Sequence, residues 1–249
     1  HAESMAMFYK MWTSFTSFLL LPFVNGATSK WQKVLDSLRS FQGRQNDIML
    51  LTSSYTKQTP GGVATAAAIA RLCEALAHVA FANFKGKQAE EAAIQRAMSK
   101  MTANEVAALQ SVPQIKYGLI EWMLATATRA AERGDVYSAP QYAQAMSESV
   151  LRLRSAIGTL NDLIADSHGP LLFTHLMTVN VTFSFLLFPW AMSHEMGVWI
   201  VPAGFVYVLF SDGLLTYATA VGCPFDGRSP LLNLDTIAAE AANVVSKRF

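Results

Sequence analysis

Hydrophobic positions are bunched towards the two ends of the chain, with a charged, alanine-rich stretch between them. Near the C-terminus, "HLMTVNVTFSFLLFPWAM" (His175 to Met192) carries no charged side chain beyond the titratable His at its first position. The polar break "SHEMG" follows, and then "VWIVPAGFVYVLFSDGLLTYATAV" (Val198 to Val221), with Asp212 as its only charge. A helix needs about 20 apolar residues to cross the hydrocarbon core. Both runs are long enough, and the short break predicts an antiparallel membrane hairpin, with Trp190 and Trp199 flanking the turn as interfacial aromatics do. The alternative is a hairpin buried inside a large soluble protein. A weaker apolar run, "MFYKMWTSFTSFLLLPFVNGAT" (Met7 to Thr28), holds Lys10, several hydroxyls and Pro22. It predicts a third apolar helix, either in the membrane or packed in a bundle. Lys30, Lys33 and Arg39 follow it and put that end on the cytoplasmic or equivalent side.

The middle, Trp31 to His168, has helical periodicity throughout. "GGVATAAAIARLCEALAHVAFANF" combines strong helix formers with apolar positions at helical spacing, too polar overall to span and too apolar for a linker. "TANEV" (Thr102 to Val106) is a helix start, with Thr102 capping and Glu105 three residues later. The next helix begins after Pro113 and stops near Gly134. A long amphipathic helix then runs to Gly169-Pro170, with Val150, Leu153, Ile157, Leu160 and Ile164 as its apolar stripe. That stripe is the pattern of ordinary bundle packing. No strand alternation and no internal repeat stand out.

Composition sharpens the membrane reading. The 249 residues are 52% hydrophobic and only 15% charged, where a soluble domain carries about 25% charged residues. A net charge of +1 argues against a nucleic-acid partner. Cys73 and Cys223 are too few for a disulfide framework and lack metal spacing. The opening "HAESMAM" has no basic segment ahead of an apolar core, so no retained signal peptide is expected.

Candidate chemistry is sparse. There is no Gly-rich phosphate loop, no paired-His metal spacing and no visible catalytic triad, so neither an enzyme nor a cofactor is expected. His78, His168, His175 and His194 are scattered and fit packing or interface roles better than ligation. Asn180-Val181-Thr182 matches a glycosylation sequon but lies inside an apolar run and is discarded. Asp212 is a candidate, because an acid in a spanning segment is costly and is functional by default. The competing reading gives it a Ser or Thr partner on the neighbouring helix, or a place at a subunit interface.

Four stretches carry a resemblance to a known family: "SFLLLPFVNGATSKW" (Ser17 to Trp31), "MTANEVAALQSVPQIKYGLIEWM" (Met101 to Met123), "SESVLRLRSAIGTLNDLIADSHGPLLFTHLM" (Ser147 to Met177) and "CPFDGRSPLLNLDTIAAE" (Cys223 to Glu240). Their order and spacing resemble the bestrophins, pentameric anion channels, in a form nearer to plant, algal and bacterial members. The resemblance implies an all-α integral membrane protein, a single bestrophin-like domain over 1–249. Its parts would be an apolar helix over 7–28, a cytosolic or stromal-type helical bundle over 31–168, a membrane hairpin over 175–221, and a C-terminal turn and helix over 222–249. It also implies chloride or other small anions as the permeant species and an axial pore in a homopentamer. The neck rings, spaced by four residues, carry over to Ser14, Phe18 and Pro22, and the second constriction to Gly169.

The departures matter as much. Only Phe18 is a bulky apolar ring former, Pro22 removes a backbone donor and is expected to kink its helix, and Gly169 leaves the second constriction wide or unformed. Where calcium-gated members hold the ion with acids, Arg228 and Leu231 stand after the Pro-Phe turn. Calcium takes six to eight oxygen ligands, many of them carboxylate, so no calcium site is expected. The family has about four membrane helices and only three candidates are present here, so the first helix and N-terminal arm are expected to be missing or cleaved. Two readings follow: an anion channel subunit not gated by calcium, or a bestrophin-derived structural subunit of a heteromeric membrane complex, for which algal relatives point to the thylakoid. A more distant third is a soluble, Ala-rich helical scaffold.

Overall fold

A computed structural model of the chain describes residues 2–80, 87–165 and 171–222. In chain order the helices are α1 (Ala2–Tyr55), α2 (Pro60–Val79), α3 (Lys87–Met98), α4 (Ala103–Gln110), α5 (Ile115–Arg133), α6 (Ala139–Ala165), α7 (Leu171–Met196) and α8 (Ile200–Gly222). A 3-10 turn, Gly197–Trp199, joins the last two. Among the described residues the only β-type pairing is an isolated bridge, Thr56 to Val136. The fold is all-α. The described residues form two compact units, 2–34 with 163–222, and 35–162.

The 35–162 unit has a conventional apolar core. In α2, Ile69, Cys73, Leu76 and Ala77 are fully buried, and α5 supplies the equally buried Leu119, Met123 and Ala130. From α1 come Leu38, Phe41, Ile48 and Met49. Of the stripe read on α6, Val150, Leu153, Ile157 and Leu160 are each at most 1% exposed, and the Ile164 side chain lies outside the described residues. Contrary to the sequence expectation, α2 is long and apolar enough to cross a membrane, but its most apolar stretch is 61% buried inside the chain, as suits a core helix. Burial pushes the Cys73 thiol up to about 12.

Local signals set the helix ends here. Thr102 caps α4 in a reciprocal box with Glu105. Pro60 sits at the start of α2 behind the capping Thr59, where its missing N–H costs nothing. Gly134 ends α5 with φ 74°, a left-handed conformation that favours glycine. The end of α1 is tied to the α5–α6 turn by Lys57 N–H donating to Asp135 O (2.9 Å) and Tyr137 N–H donating to Tyr55 O (2.7 Å).

The other unit is turned inside out. Its interior is a small cluster of Leu20, Met177, Val181 and Leu215, flanked by Phe23, Val24 and Phe185. Large apolar side chains cover its outside, among them Leu186, Trp190, Val201, Phe205, Leu209 and Phe210. Only 11% of the most apolar stretch of Phe173–Gly222 is buried. Water would not tolerate so large a contiguous apolar surface, but lipid would. The two helices form the expected hairpin: Tyr207 of α8 meets Phe185 and Phe188 of α7, with ring centroids 5.6 and 5.7 Å apart. Gly204 allows this approach, since a Cβ there would stand 2.9 Å from the Phe188 ring.

The N-terminal run differs in extent from the sequence expectation. The helix expected over 7–28 is the front of a 54-residue helix that continues through Pro22 to Tyr55. Pro22 loses one intrahelical bond, but no second breaker follows closely enough to end the helix.

Candidate functional site

The first part of α1 has two distinct faces. Tyr9, Thr16, Leu20 and Ala27 are buried at helical spacing. Tyr9 packs edge-on to Phe188 (5.9 Å) and Trp12 to Phe183 (5.1 Å), while Phe23 meets Phe173 (5.6 Å), so α7 covers this stripe. Lys10 Nζ donates to Glu195 Oε1 at 2.9 Å near the far end of α7.

Ser14, Phe18 and Pro22 stand on the opposite, exposed face of α1. Phe18 is 72% exposed, and Met11 and Leu21 on the same side of α1 are exposed with it. Ser14 Oγ is bonded back to Lys10 O at 2.8 Å, a bond that keeps the hydroxyl close to its own helix. Ser14 also lines an open cleft of about 630 Å³ shared with Lys10 and Glu195. The three positions therefore lie together on one uncovered surface. Gly169, Arg228, Leu231 and the turn after Val221 lie outside the described residues.

Asp212 is exposed on α8, about 18 Å along the helix from Ile200. The neighbouring-helix Ser or Thr partner considered for it is not found among the described residues, where it makes no hydrogen bond or ion pair. On translocon-insertion scales an acid at the centre of a lipid-facing span costs about 2.5–3.5 kcal/mol. This surface of α8 therefore needs a polar neighbour.

A polar seam between α1 and α7 was not read from the sequence. Thr16, Asn180 and Ser184 are buried, with the Thr16 and Ser184 hydroxyl oxygens 3.5 Å apart. Thr16 and Ser184 also donate to their own helices, to Trp12 O and Asn180 O, both at 2.9 Å. The Asn180 amide donates to Leu176 O at 2.9 Å, and its carbonyl oxygen is buried without a partner. The signal was available: Tyr9, Trp12, Thr16, Leu20 and Phe23 recur at spacings of three and four, which marks the packed face and sets Ser14 and Phe18 on the other.

Titratable groups elsewhere are occupied structurally. Burial lowers the His78 imidazole below its usual range, with Arg96 and Lys100 adding to the effect against the opposing charge of Glu74. Burial also lowers Lys116, partly offset by Glu90, and its Nζ donates to Asn161 Oδ1 at 3.2 Å. Among the described residues no group of three or more His, Cys, Asp or Glu is placed to hold a metal.

The chain matches the bacterial and fungal bestrophin family model over residues 23–247. Its fold is similar to that of a bacterial bestrophin homologue from Klebsiella pneumoniae, with a TM-score of 0.85 at 10% identity, covering 96% of this chain and 86% of that one. A point variant of that homologue gives a TM-score of 0.83 at 10% identity over the same shares. A further membrane-protein variant gives 0.81 at 12% identity over 96% of this chain and 85% of that one. No curated protein sequence gives a significant match. With the apolar exterior of the hairpin, the family match marks an integral membrane protein. This chain, with its helical hairpin and outward-facing α1 surface, belongs to the bestrophin family.

Proposed function

We propose that this protein is a subunit of an anion channel. Five copies surround one axial pore, and the exposed α1 face lines its neck. The observation that carries this reading is the joint exposure of Ser14, Phe18 and Pro22 on the side of α1 away from α7. A Phe18 ring from each copy forms the tightest apolar constriction and closes it to hydrated ions by dewetting. Ring edges carry partial positive charge, so they favour anions such as chloride over cations. Ser14, one turn away, adds a small polar position to the same face, its hydroxyl proton returned to Lys10 O, and Gly169 leaves any second constriction wide. Opening does not require calcium, because Arg228 and Leu231 stand where carboxylates would be needed. Asp212 meets a polar group of a neighbouring copy and so escapes lipid.

The loss of bulky apolar side chains at Ser14 and Pro22 favours a second reading, a structural subunit that no longer conducts. Purified protein of verified pentameric state, reconstituted in liposomes with a chloride-flux readout, separates the two. Chloride flux that rises in F18A supports the channel. No flux from intact pentamers removes it.

A further inference from the structure

Within the 35–162 unit, α1 and α6 form a polar cleft of about 370 Å³. Its walls follow one face of each helix. Ser37, Ser40 and Arg44 come from α1, and Arg152, Ser155 and Thr159 come from α6. Each triplet has i, i+3, i+7 spacing, which keeps all three residues on one side of a helix. The small side chain of Ala156, also lining the cleft, leaves it room.

The helices run antiparallel here. The Tyr55 and Tyr142 rings meet with centroids 5.9 Å apart. Arg44 lies about 16 Å along α1 from Tyr55, and Arg152 about 15 Å along α6 from Tyr142. The two arginines therefore stand level, at one end of the cleft. Ser37 and Thr159, about 27 and 26 Å from the same tyrosines, stand level at the other end. The one acid that lines the cleft, Asp36, belongs to that far end and is 3.9 Å from Arg39. Two guanidinium groups thus line one end of the cleft, each with a carboxylate of its own helix one turn away, and the hydroxyl-bearing residues lead away from them.

Neither guanidinium is used up. Arg44 Nη1 donates to Asp47 Oδ2 at 3.0 Å, and Arg152 Nη2 lies 3.8 Å from Glu148 Oε2. Both are intrahelical pairs, the second solvent-exposed and the first part-buried, and exposed pairs hold their partners weakly. A guanidinium has five N–H donors in a fork that matches two oxygens of an oxyanion, so most of each fork is left over. The Ser40 and Ser155 hydroxyls donate to the remaining oxygens, while the Thr159 hydroxyl already donates to Ser155 O at 3.0 Å. A halide needs neither the forks nor this much space.

We propose that the α1–α6 cleft binds a phosphate group, as inorganic phosphate or a small soluble phosphomonoester, between Arg44 and Arg152. This site is separate from the exposed α1 face around Phe18 and does not depend on conduction. Its test is a binding measurement rather than a flux. Inorganic phosphate is titrated by calorimetry into the full-length, detergent-solubilised protein at low ionic strength. Saturable binding is expected, weakened tenfold or more in R44Q and in R152Q, and tightened several-fold in D36N, which removes the opposing acid. R129Q, the same loss of charge outside the cleft, is expected to bind as the parent does. Circular dichroism melts check that each variant is folded, and should an arginine variant fail to fold, the D36N gain remains as the test. Absence of saturable binding, or equal affinity in R44Q, R152Q and R129Q, overturns the proposal. So does chloride competing as well as sulfate. The titration is repeated in phosphatidylcholine nanodiscs with and without phosphatidic acid. Signal lost only with phosphatidic acid gives the site to a lipid headgroup and overturns the soluble ligand.

Discussion

Replacing Phe18 with Ala separates a residue that faces a pore from one that packs a core. Phe18 is 72% exposed in the protomer. Full burial of a Phe side chain is worth about 1.5–3 kcal/mol, so the small buried share of Phe18 puts the cost of F18A to protomer stability below about 1 kcal/mol. Phe41, further along the same helix, is 1% exposed. There F41A leaves a cavity and costs about 3–5 kcal/mol. The two variants delete the same atoms from the same helix, so their difference reports environment alone. Denaturant unfolding in detergent, followed by tryptophan fluorescence, measures the stability of each. Size exclusion follows the assembly, and chloride flux from liposomes follows conduction. The expected result for F18A is a near-parental unfolding midpoint, an intact oligomer and a raised flux, and for F41A a large loss of stability. If F18A dissociates the oligomer or costs as much as F41A, Phe18 packs against a neighbour and the pore assignment is refuted.

Three further outcomes test the extramembrane unit. At Gly62 an added Cβ would collide with the Lys57 carbonyl oxygen, a backbone atom that cannot swing away, so G62A is expected to cost about 2 kcal/mol or more; an unchanged melt would show that the α2 start relaxes freely. In a C223S background, Cys73, with its thiol pushed up to about 12 by burial, should resist maleimide in the folded protein and react once denatured, and rapid labelling of native protein would contradict the packing of α2. Burial raises the Glu105 carboxyl, but the Thr102 hydrogen bonds and Arg71 together outweigh it and leave it below its usual range. The native state therefore prefers the ionised form, and this contribution is present at neutral pH and lost as pH falls through the lowered folded value. T102A should cost about 1 kcal/mol at pH 7 and flatten the acid limb of the stability curve, whereas an unchanged acid limb would assign that pH dependence to other groups.

The helical class and most helix limits were legible because short-range chemistry sets them. The Thr102–Glu105 box, the stop at Gly134 and the stripe from Val150 to Leu160 are local, and each appears where its residues predict. The hairpin was legible for a similar reason: few residues other than apolar ones occur on either side of "SHEMG". The full length of α1 was not. Hydropathy falls after Thr28, and a change of solvent looks in sequence like the end of an element. The backbone continues because residues after Gly26 offer no strong breaker until past Tyr55. The spacing of Ser14, Phe18 and Pro22 was visible, but their exposure depended on knowing that α7 covers the stripe through Tyr9, Thr16 and Leu20. The arginine cleft was invisible for a related reason. Its two triplets are more than a hundred residues apart, and each alone resembles an ordinary solvated helix face.

The seam of Thr16, Asn180 and Ser184 bears on how freely α1 moves. Both hydroxyls already donate to carbonyls of their own helices, so their 3.5 Å approach adds little that must be broken. The contacts around them are aromatic and aliphatic, with the rings of Tyr9, Trp12 and Phe23 set against those of α7. Such a boundary holds α1 by interlocking shape more than by hydrogen bonds, and the Lys10–Glu195 pair adds an ionic tie near its end.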